Sequence, residues 1–293
     1  MGKIRYDMPV DILLEFSKNR FLSFWQRFFY FWKILPRYDI WHFNYMEVFF
    51  FYPLNLFILK ILGKKVVCTF RGSEVRPVEK TGWVNLEKRM RMNFFCFFAD
   101  KIVLTGPFLV DYVSRFDTII PYGRDVKTLA ALVEGQNKQK IVVLHAPSQS
   151  RIKGTEHIKK VFRRLRKFSP QAEFKIIQGI EHQKLLREIA KADIIIDQLL
   201  VGWYGGLAAE AMAMGKVVMA FINPSYLQYV DFAADLPLVN TNIWFLERDL
   251  KDLLAHPEDL KLRGAESQKF AYKYHDSRKI AKQYLAIYGS CYE

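Results

Sequence analysis

Cysteine is scarce in this chain and scattered where it occurs. Cys68, Cys96 and Cys291 are the only three in 293 residues. Such spacing makes neither a metal-ligand pattern nor a disulfide framework, and it fits a reducing compartment. Long apolar runs are missing too. Phe21 to Lys33 and Glu47 to Lys65 both stop short of about 18 uninterrupted apolar residues, and Pro53 and Asn55 break the second, which argues against a spanning helix. The opening MGKIRYDMPVDILLEF is charged throughout and does not read as a signal peptide. Tyr6 stands where a myristoylation signal needs Ser or Thr. No internal repeat, low-complexity tract or nucleic-acid-binding signature is present. Acidic residues are outnumbered: 30 Asp and Glu against 44 Lys and Arg leave a formal net charge of +14.

What is present is apolar and aromatic. Hydrophobic residues make up 51% of the chain and aromatic ones 16%, enough for a substantial core. Much of the aromatic and basic content falls in roughly the first hundred residues, as in FLSFWQRFFYFWK. Aromatics interleaved with Arg and Lys suit a surface lying on anionic lipid headgroups. An aromatic core with solvated basic edges gives the same pattern, and composition does not separate the two.

Strand-like and helix-like segments alternate. Residues 1 to about 37 read as mainly helical, Tyr38 to Tyr45 as a strand, and the next apolar stretch as a helix ending near Gly63. Lys64 to Phe70 is a buried strand, Trp83 to Ala99 a basic amphipathic helix, and Lys101 to Thr105 a strand. Gly106-Pro107 opens a short helix through DYVSRF, and Thr118 to Gly123 closes the series. Residues 122 to 139 read as a linker. A second series follows: Ile141 to Ala146 (strand), Glu156 to Phe168 (helix), Glu173 to Gln178 (strand), then the helix EHQKLLREIAKA and the strand DIIIDQLL. The tail from Pro257 is helical. This alternation predicts an α/β chain of two Rossmann-like halves facing a cleft, with boundaries at 1–124, 139–256 and a helical tail at 257–293.

Two stretches carry candidate chemistry. In GWYGGLAAEAMAMGKVV, from Gly202 to Val218, a Gly-rich loop leads into a helix of strong formers that Gly215 ends. Free amides of such a loop and the positive end of the helix dipole seat a phosphate. Glu210, about one turn in, can accept two hydrogen bonds from vicinal hydroxyls. In SRIKGT, Arg151 and Lys153 lie at the carboxyl end of the sheet, with the Gly154 and Thr155 amides as further donors. Taken alone, that second loop also reads as a solvated turn. His42 and His145 both end strands and read as structural histidines.

IPYGRD, HAPSQSRIKGT and DQLLVGWYGGLAAEAMAMGKVV, in this order, resemble the GT-B glycosyltransferases of the retaining, family-4-like type. The likeness covers about residues 100 to 225, and VVCTFRGSEVR more loosely. It implies transfer of a sugar from a nucleotide-sugar donor held by the C-terminal half, with no cofactor and no metal. Lys153 would bind the donor diphosphate, with Arg151 beside it, and Glu210 the ribose. Gly205 and Gly206 would let the phosphates approach the backbone, with Gly154, Thr155 and Ser148 around them. Catalysis would then rest on stabilising charge on the departing diphosphate. Arg71, Gly72 and Glu74 would face the cleft from the acceptor side.

Three features depart from the family pattern. Ser148 stands where an arginine normally precedes the lysine by about five residues, leaving Arg151 as the nearby cation. Gly202 stands where the first of two glutamates spaced eight apart (210 − 8 = 202) faces the transferred sugar, leaving Asp197 as the nearest carboxylate. The usual opening strand and Gly-rich loop of the N-terminal half are not recognisable, so that half reads as shortened. The expected partners are a nucleotide-sugar, a lipid-linked or cell-surface glycan acceptor and the anionic cytoplasmic face of a membrane, to which the protein would bind peripherally, and no nucleic acid. A non-catalytic nucleotide-sugar-binding or scaffold protein is the alternative. A sugar-nucleotide epimerase would need acid–base residues that the sequence offers sparingly.

Overall fold

The computed structural model of the protein describes residues 16–44, 49, 53–72, 75–76, 82–133 and 140–293. The first half runs α1 (Arg20–Ile34), β1 (Ile40–Asn44), α2 (Leu54–Ile61), β2 (Lys65–Phe70), α3 (Gly82–Phe98), β3 (Lys101–Leu104) and β4 (Thr118–Ile119). Its strands form a parallel four-stranded sheet in the order β1-β2-β3-β4. The pleat divides the side chains cleanly between its faces. Trp41, Phe43, Val66, Cys68 and Phe70 join Phe31, Leu56, Leu59 and Phe95 on one face, so α1, α2 and α3 form a layer there. Val67, Val103 and Ile120 point to the other.

The connection after β4 carries α4 (Val126–Ala131). Reading 122 to 139 as a plain linker missed this helix. Asp125 caps it, accepting the Thr128 amide at 3.1 Å and its hydroxyl at 2.7 Å, and Val126 and Leu129 are buried. Residues 134–139 of that linker lie outside the described residues. The expected helix through DYVSRF is also not formed: only a 3₁₀ turn at Pro107–Leu109 is. Tertiary contacts override local propensity there. Arg115 is drawn to the carbonyls of Cys96 and Ala99, and Asp111 accepts the Tyr226 hydroxyl from the other half at 2.5 Å.

The second half runs β5 (Ile141–His145), α5 (Ser150–Lys153), α6 (Thr155–Leu165), β6 (Ala172–Ile176), α7 (His182–Lys191), β7 (Ile194–Ile196), α8 (Gly206–Ala213), β8 (Val217–Ala220), β9 (Val239–Asn240), α9 (Leu246–Ala255), α10 (Asp259–Tyr274) and α11 (Ser277–Gly289). Its parallel sheet has the order β6-β5-β7-β8-β9. The short strand β9 and helix α9 had no counterpart in the sequence reading. Every residue of α8 from Leu207 to Ala213 is buried, because Ala and Met allow it to lie between the sheet, α4 and α10.

The tail is shared between the halves. α10 packs on α8, whereas α11 returns to the first sheet, where Ile280 and Cys291 cover Val67, Val103 and Ile120. Two passages of chain therefore cross between the sheets, and they are tied to each other. The Arg124 amide donates to the His275 carbonyl at 2.7 Å, and the Ser277 amide donates to the Arg124 carbonyl at 2.8 Å.

Candidate functional site

The order of the second sheet puts β5 and β7 side by side, with His145 beside Ile196. From β5 the chain leaves toward β6, and from β7 toward β8, on opposite sides. The carboxyl ends of these two strands are the topological switch point of the sheet, the place where open α/β sheets bind ligands. Both stretches singled out from the sequence spring from it. Lys153 ends α5 in the loop after β5, and Asp197 begins the loop after β7 that leads to Gly205, Gly206 and Glu210 in α8.

The two loops are bonded to each other. Lys153 Nζ lies 2.7 Å from Asp197 Oδ1, and the Gly205 amide donates to Asp197 Oδ2 at 2.7 Å. The Asp197 side chain is fully buried. With one oxygen committed to each loop, this carboxylate fixes a lysine and a backbone amide and does not face an open cleft. Gln198 Nε2 donates to the Trp203 carbonyl and closes the loop after β7 from within.

Glu210 sits one turn into α8, buried except for its tip. Its Oε1 is 3.1 Å from Arg124 Nε and 3.1 Å from His182 Nε2. Lys153 and Glu210 line one cavity of about 520 Å³, together with Ser148, Gly206, Arg124 and His182. A second cavity of about 270 Å³ opens between the two sheets, where Arg71, Arg76, Tyr122 and Gln198 meet Ser148, Lys153 and Gly206. Two larger hollows, of about 670 and 720 Å³, touch no residue of either motif. Convergent charge at a switch point is a stronger indication of a ligand site than volume.

Other expected site residues fall elsewhere. Arg151 is exposed and lines neither cavity of the switch point. The amide of Gly154 is spent on the Ser150 carbonyl, and Thr155 is buried with its hydroxyl on His145 Nε2 at 2.9 Å, so neither lines the cavities. Gly72 is buried behind Arg76 and Phe108. Glu74 lies outside the described residues. Gly202 has φ +85°, and a Cβ there would meet the Tyr226 ring at 3.0 Å, so any side chain at this position is strained and presses on that ring.

The histidines are held as structural groups. His145 Nδ1 donates to the Ile196 carbonyl at 2.8 Å, which leaves Nε2 to accept from Thr155, and burial pushes the imidazole down to about 4. His42 lies between the hydroxyls of Tyr288 and Thr69, each 2.7 Å away.

Sequence reasoning missed Arg124, His182, Arg76 and Gln198. His182 was findable in principle, as the first residue of the helix that follows β6. Arg124 lies within IPYGRD, but only the arrangement of the two sheets brings its side chain to α8.

No protein-family model matches the chain, and no curated protein matches it. Solved structures do. Sucrose-phosphate synthase from Thermosynechococcus elongatus matches with a TM-score of 0.63 at 18% identity, over 90% of this chain and 76% of that one. HepE from Anabaena, solved with UDP-glucose, matches with a TM-score of 0.58 at 14% identity, over 88% of this chain and 80% of that one. A UDP-forming α,α-trehalose-phosphate synthase from Burkholderia xenovorans, solved with glucose-6-phosphate, matches with a TM-score of 0.60 at 12% identity, over 93% and 78%. Two parallel α/β sheets facing each other, with the last helix returning to the first, are thus those of the GT-B glycosyltransferase fold. The smaller sheet, four strands among the described residues, is the N-terminal one.

Proposed function

We propose that the protein transfers a sugar from a nucleotide-sugar donor to a glycan acceptor, lipid-linked or at the cell surface. One observation carries the reading: Lys153 and Glu210, named from sequence as the diphosphate and ribose contacts, line a single cavity at the switch point of the second sheet. Lys153 would stabilise charge on the departing diphosphate, and Glu210 would accept from the ribose hydroxyls. Side-chain cations rather than a metal would neutralise the leaving group, and the anomeric configuration would be retained, both as the family resemblance implies. Fold neighbours support the donor class, since one was solved with UDP-glucose and another is described as UDP-forming.

The acceptor side of the proposal rests on the layer formed by α1, α2 and α3. Phe21, Trp25 and Phe29 make an exposed stripe on α1, and Phe57 and Ile61 of α2 and Phe97 of α3 are exposed as well. α1 contains Arg20, Arg27 and Lys33 and no acidic residue. An apolar, cationic layer of this kind suits the headgroup region of an anionic membrane, from which a lipid-linked acceptor would be presented. No helix among the described residues is long and apolar enough to cross a membrane.

Thermal unfolding with a panel of UDP-, GDP- and ADP-sugars tests the donor site, followed by transfer of radiolabelled sugar to lipid extracts. A rise in unfolding temperature with one nucleotide class is expected, and its loss in Glu210→Ala for ribonucleotides but not for 2′,3′-dideoxy analogues. No shift with any compound sinks the reading. The occupied Asp197 and the glycine at 202 favour a second reading, binding without transfer. Donor binding with no product from any acceptor would select it.

A further inference from the structure

The loop after β5 has Ser148 where an arginine would assist Lys153, and Arg151, the nearest cation in sequence, lines neither cavity. A different arginine reaches the place. Arg124 belongs to the passage between the two sheets, and its backbone is fixed there on both sides. Its amide donates to the His275 carbonyl and its carbonyl accepts from Ser277. The neighbouring Tyr122 carbonyl accepts from Nδ1 of the buried His275 at 2.8 Å.

From this fixed point the guanidinium crosses to the second sheet. Nη2 lies 2.5 Å from where a Cβ at Gly206 would stand, so a side chain at the first position of α8 would push the guanidinium out of this place. The side chain is three-quarters buried and lines the same cavity as Ser148, Lys153 and Glu210. Two details set this placement apart from an ordinary ion pair. A cation beside a helix N-terminus stands against the positive end of the macrodipole, a position that favours anions. In addition, Nε is 3.1 Å from Glu210 Oε1 but misaligned, so this buried N–H makes no hydrogen bond. A buried guanidinium N–H without an acceptor is costly unless a ligand supplies one.

We infer that Arg124 is the second cation of the donor diphosphate site, resting against Glu210 in the free protein and exchanging that carboxylate for phosphate oxygens when the donor enters. The exchange releases Glu210 to the ribose and ties the leaving diphosphate to the segment that joins the two sheets. The inference rests on the donor reading proposed above.

Calorimetric titration of wild type with UDP, GDP and ADP comes first, and binding of none of them defeats the donor reading and this inference together. The tightest of the three is then compared with its monophosphate and its nucleoside in Arg124→Ala, Arg124→Lys and Arg151→Ala. Arg124→Ala should lose about tenfold or more in diphosphate affinity, the scale of a charge-assisted contact, and much less for the nucleoside. Arg124→Lys should recover part of the loss. Unchanged diphosphate affinity in Arg124→Ala overturns the inference while the donor reading stands. So does an equal loss for nucleoside and diphosphate, which would mark a purely structural arginine, or a diphosphate-specific loss in Arg151→Ala alone.

Discussion

Lys153 Nζ and Asp197 Oδ1 stand 2.7 Å apart, with 11% and 0% of their side chains exposed. A charge pair so far from water is costly to break from one side, because the survivor stays buried and uncompensated. Asp197→Ala should therefore destabilise the fold by about 3–5 kcal/mol. Asp197→Asn, which keeps the shape and can still accept from the Gly205 amide, should cost less but loosen Lys153 and weaken nucleoside diphosphate binding. Urea midpoints and calorimetric titrations read both effects. An Asp197→Ala protein as stable as wild type would show that the pair is not what fixes the two loops.

Much of this site was legible because it is built from local pattern. The apolar run before Asp197 and the Ala- and Met-rich run after Gly206 are β7 and α8, and Gly215 ends the helix with φ +68° as a helix-stopping glycine does. Glu210 followed from its place inside a helix after a Gly-rich loop, whereas Lys153 stood out only through the resemblance of the whole series of motifs to the family. What could not be read depends on tertiary placement. Nothing in IPYGRD says that Arg124 reaches across to α8. Nothing near Asp197 says that Lys153 takes up its carboxylate. Helix α4 escaped notice because it is six residues long and buries only Val126 and Leu129, and α11 covers the first sheet although it follows the second in the chain.

Restoring the missing glutamate should not improve the protein. Gly202 sits at φ +85°, where a side chain costs about 1–2 kcal/mol, and its Cβ would press on Tyr226 at 3.0 Å and on Asn223 at 3.1 Å. Tyr226 donates its hydroxyl to Asp111 of the other half, so displacing the ring also strains the contact between halves. Gly202→Glu is expected to lower the urea midpoint by more than a kcal/mol equivalent and to leave sugar transfer no faster. A stable, more active Gly202→Glu would mean that the loop adapts to a side chain and that a carboxylate at this position assists transfer.

Two buried histidines, His145 and His275, and the half-buried His42 make stability fall with acid. Burial is the first cause of the lowering of His42, His145 and His275 from 6.5 to about 4. Below pH 6.5 the unfolded chain takes up protons that the folded chain refuses until about pH 4. The stabilisation is therefore complete above pH 6.5 and is lost as pH falls through that window. Each such histidine contributes a slope of up to about 1.4 kcal/mol per pH unit. Urea midpoints should stay nearly level from pH 7.5 to about 6.5 and drop steadily from there to pH 5, and His275→Gln should make the drop shallower. A flat profile between pH 7 and 5.5 would rule out neutral, buried histidines at these positions.

The exposed stripe on α1 separates a lipid-facing layer from an ordinary surface. Phe21, Trp25 and Phe29 are 74%, 39% and 64% exposed, and among the described residues Trp25 packs only on other rings of α1, so replacing all three with serine removes surface contacts within one helix and should lower the unfolding temperature only modestly. Full burial of such a side chain is worth about 1.5–3 kcal/mol, so partial insertion of three rings predicts a loss of at least tenfold in vesicle affinity. Arg20, Arg27 and Lys33 add attraction of about 1 kcal/mol each near an anionic surface, which salt screens. Wild type should therefore pellet with phosphatidylglycerol vesicles at low salt, less so at high salt, and weakly with phosphatidylcholine alone. The triple variant should stay in the supernatant throughout. Equal sedimentation of variant and wild type would remove the membrane from the proposed function. If instead the variant changes the mass of the protein in solution and not its vesicle binding, the stripe is a contact between copies of the chain, because only a protein surface would then be covering it.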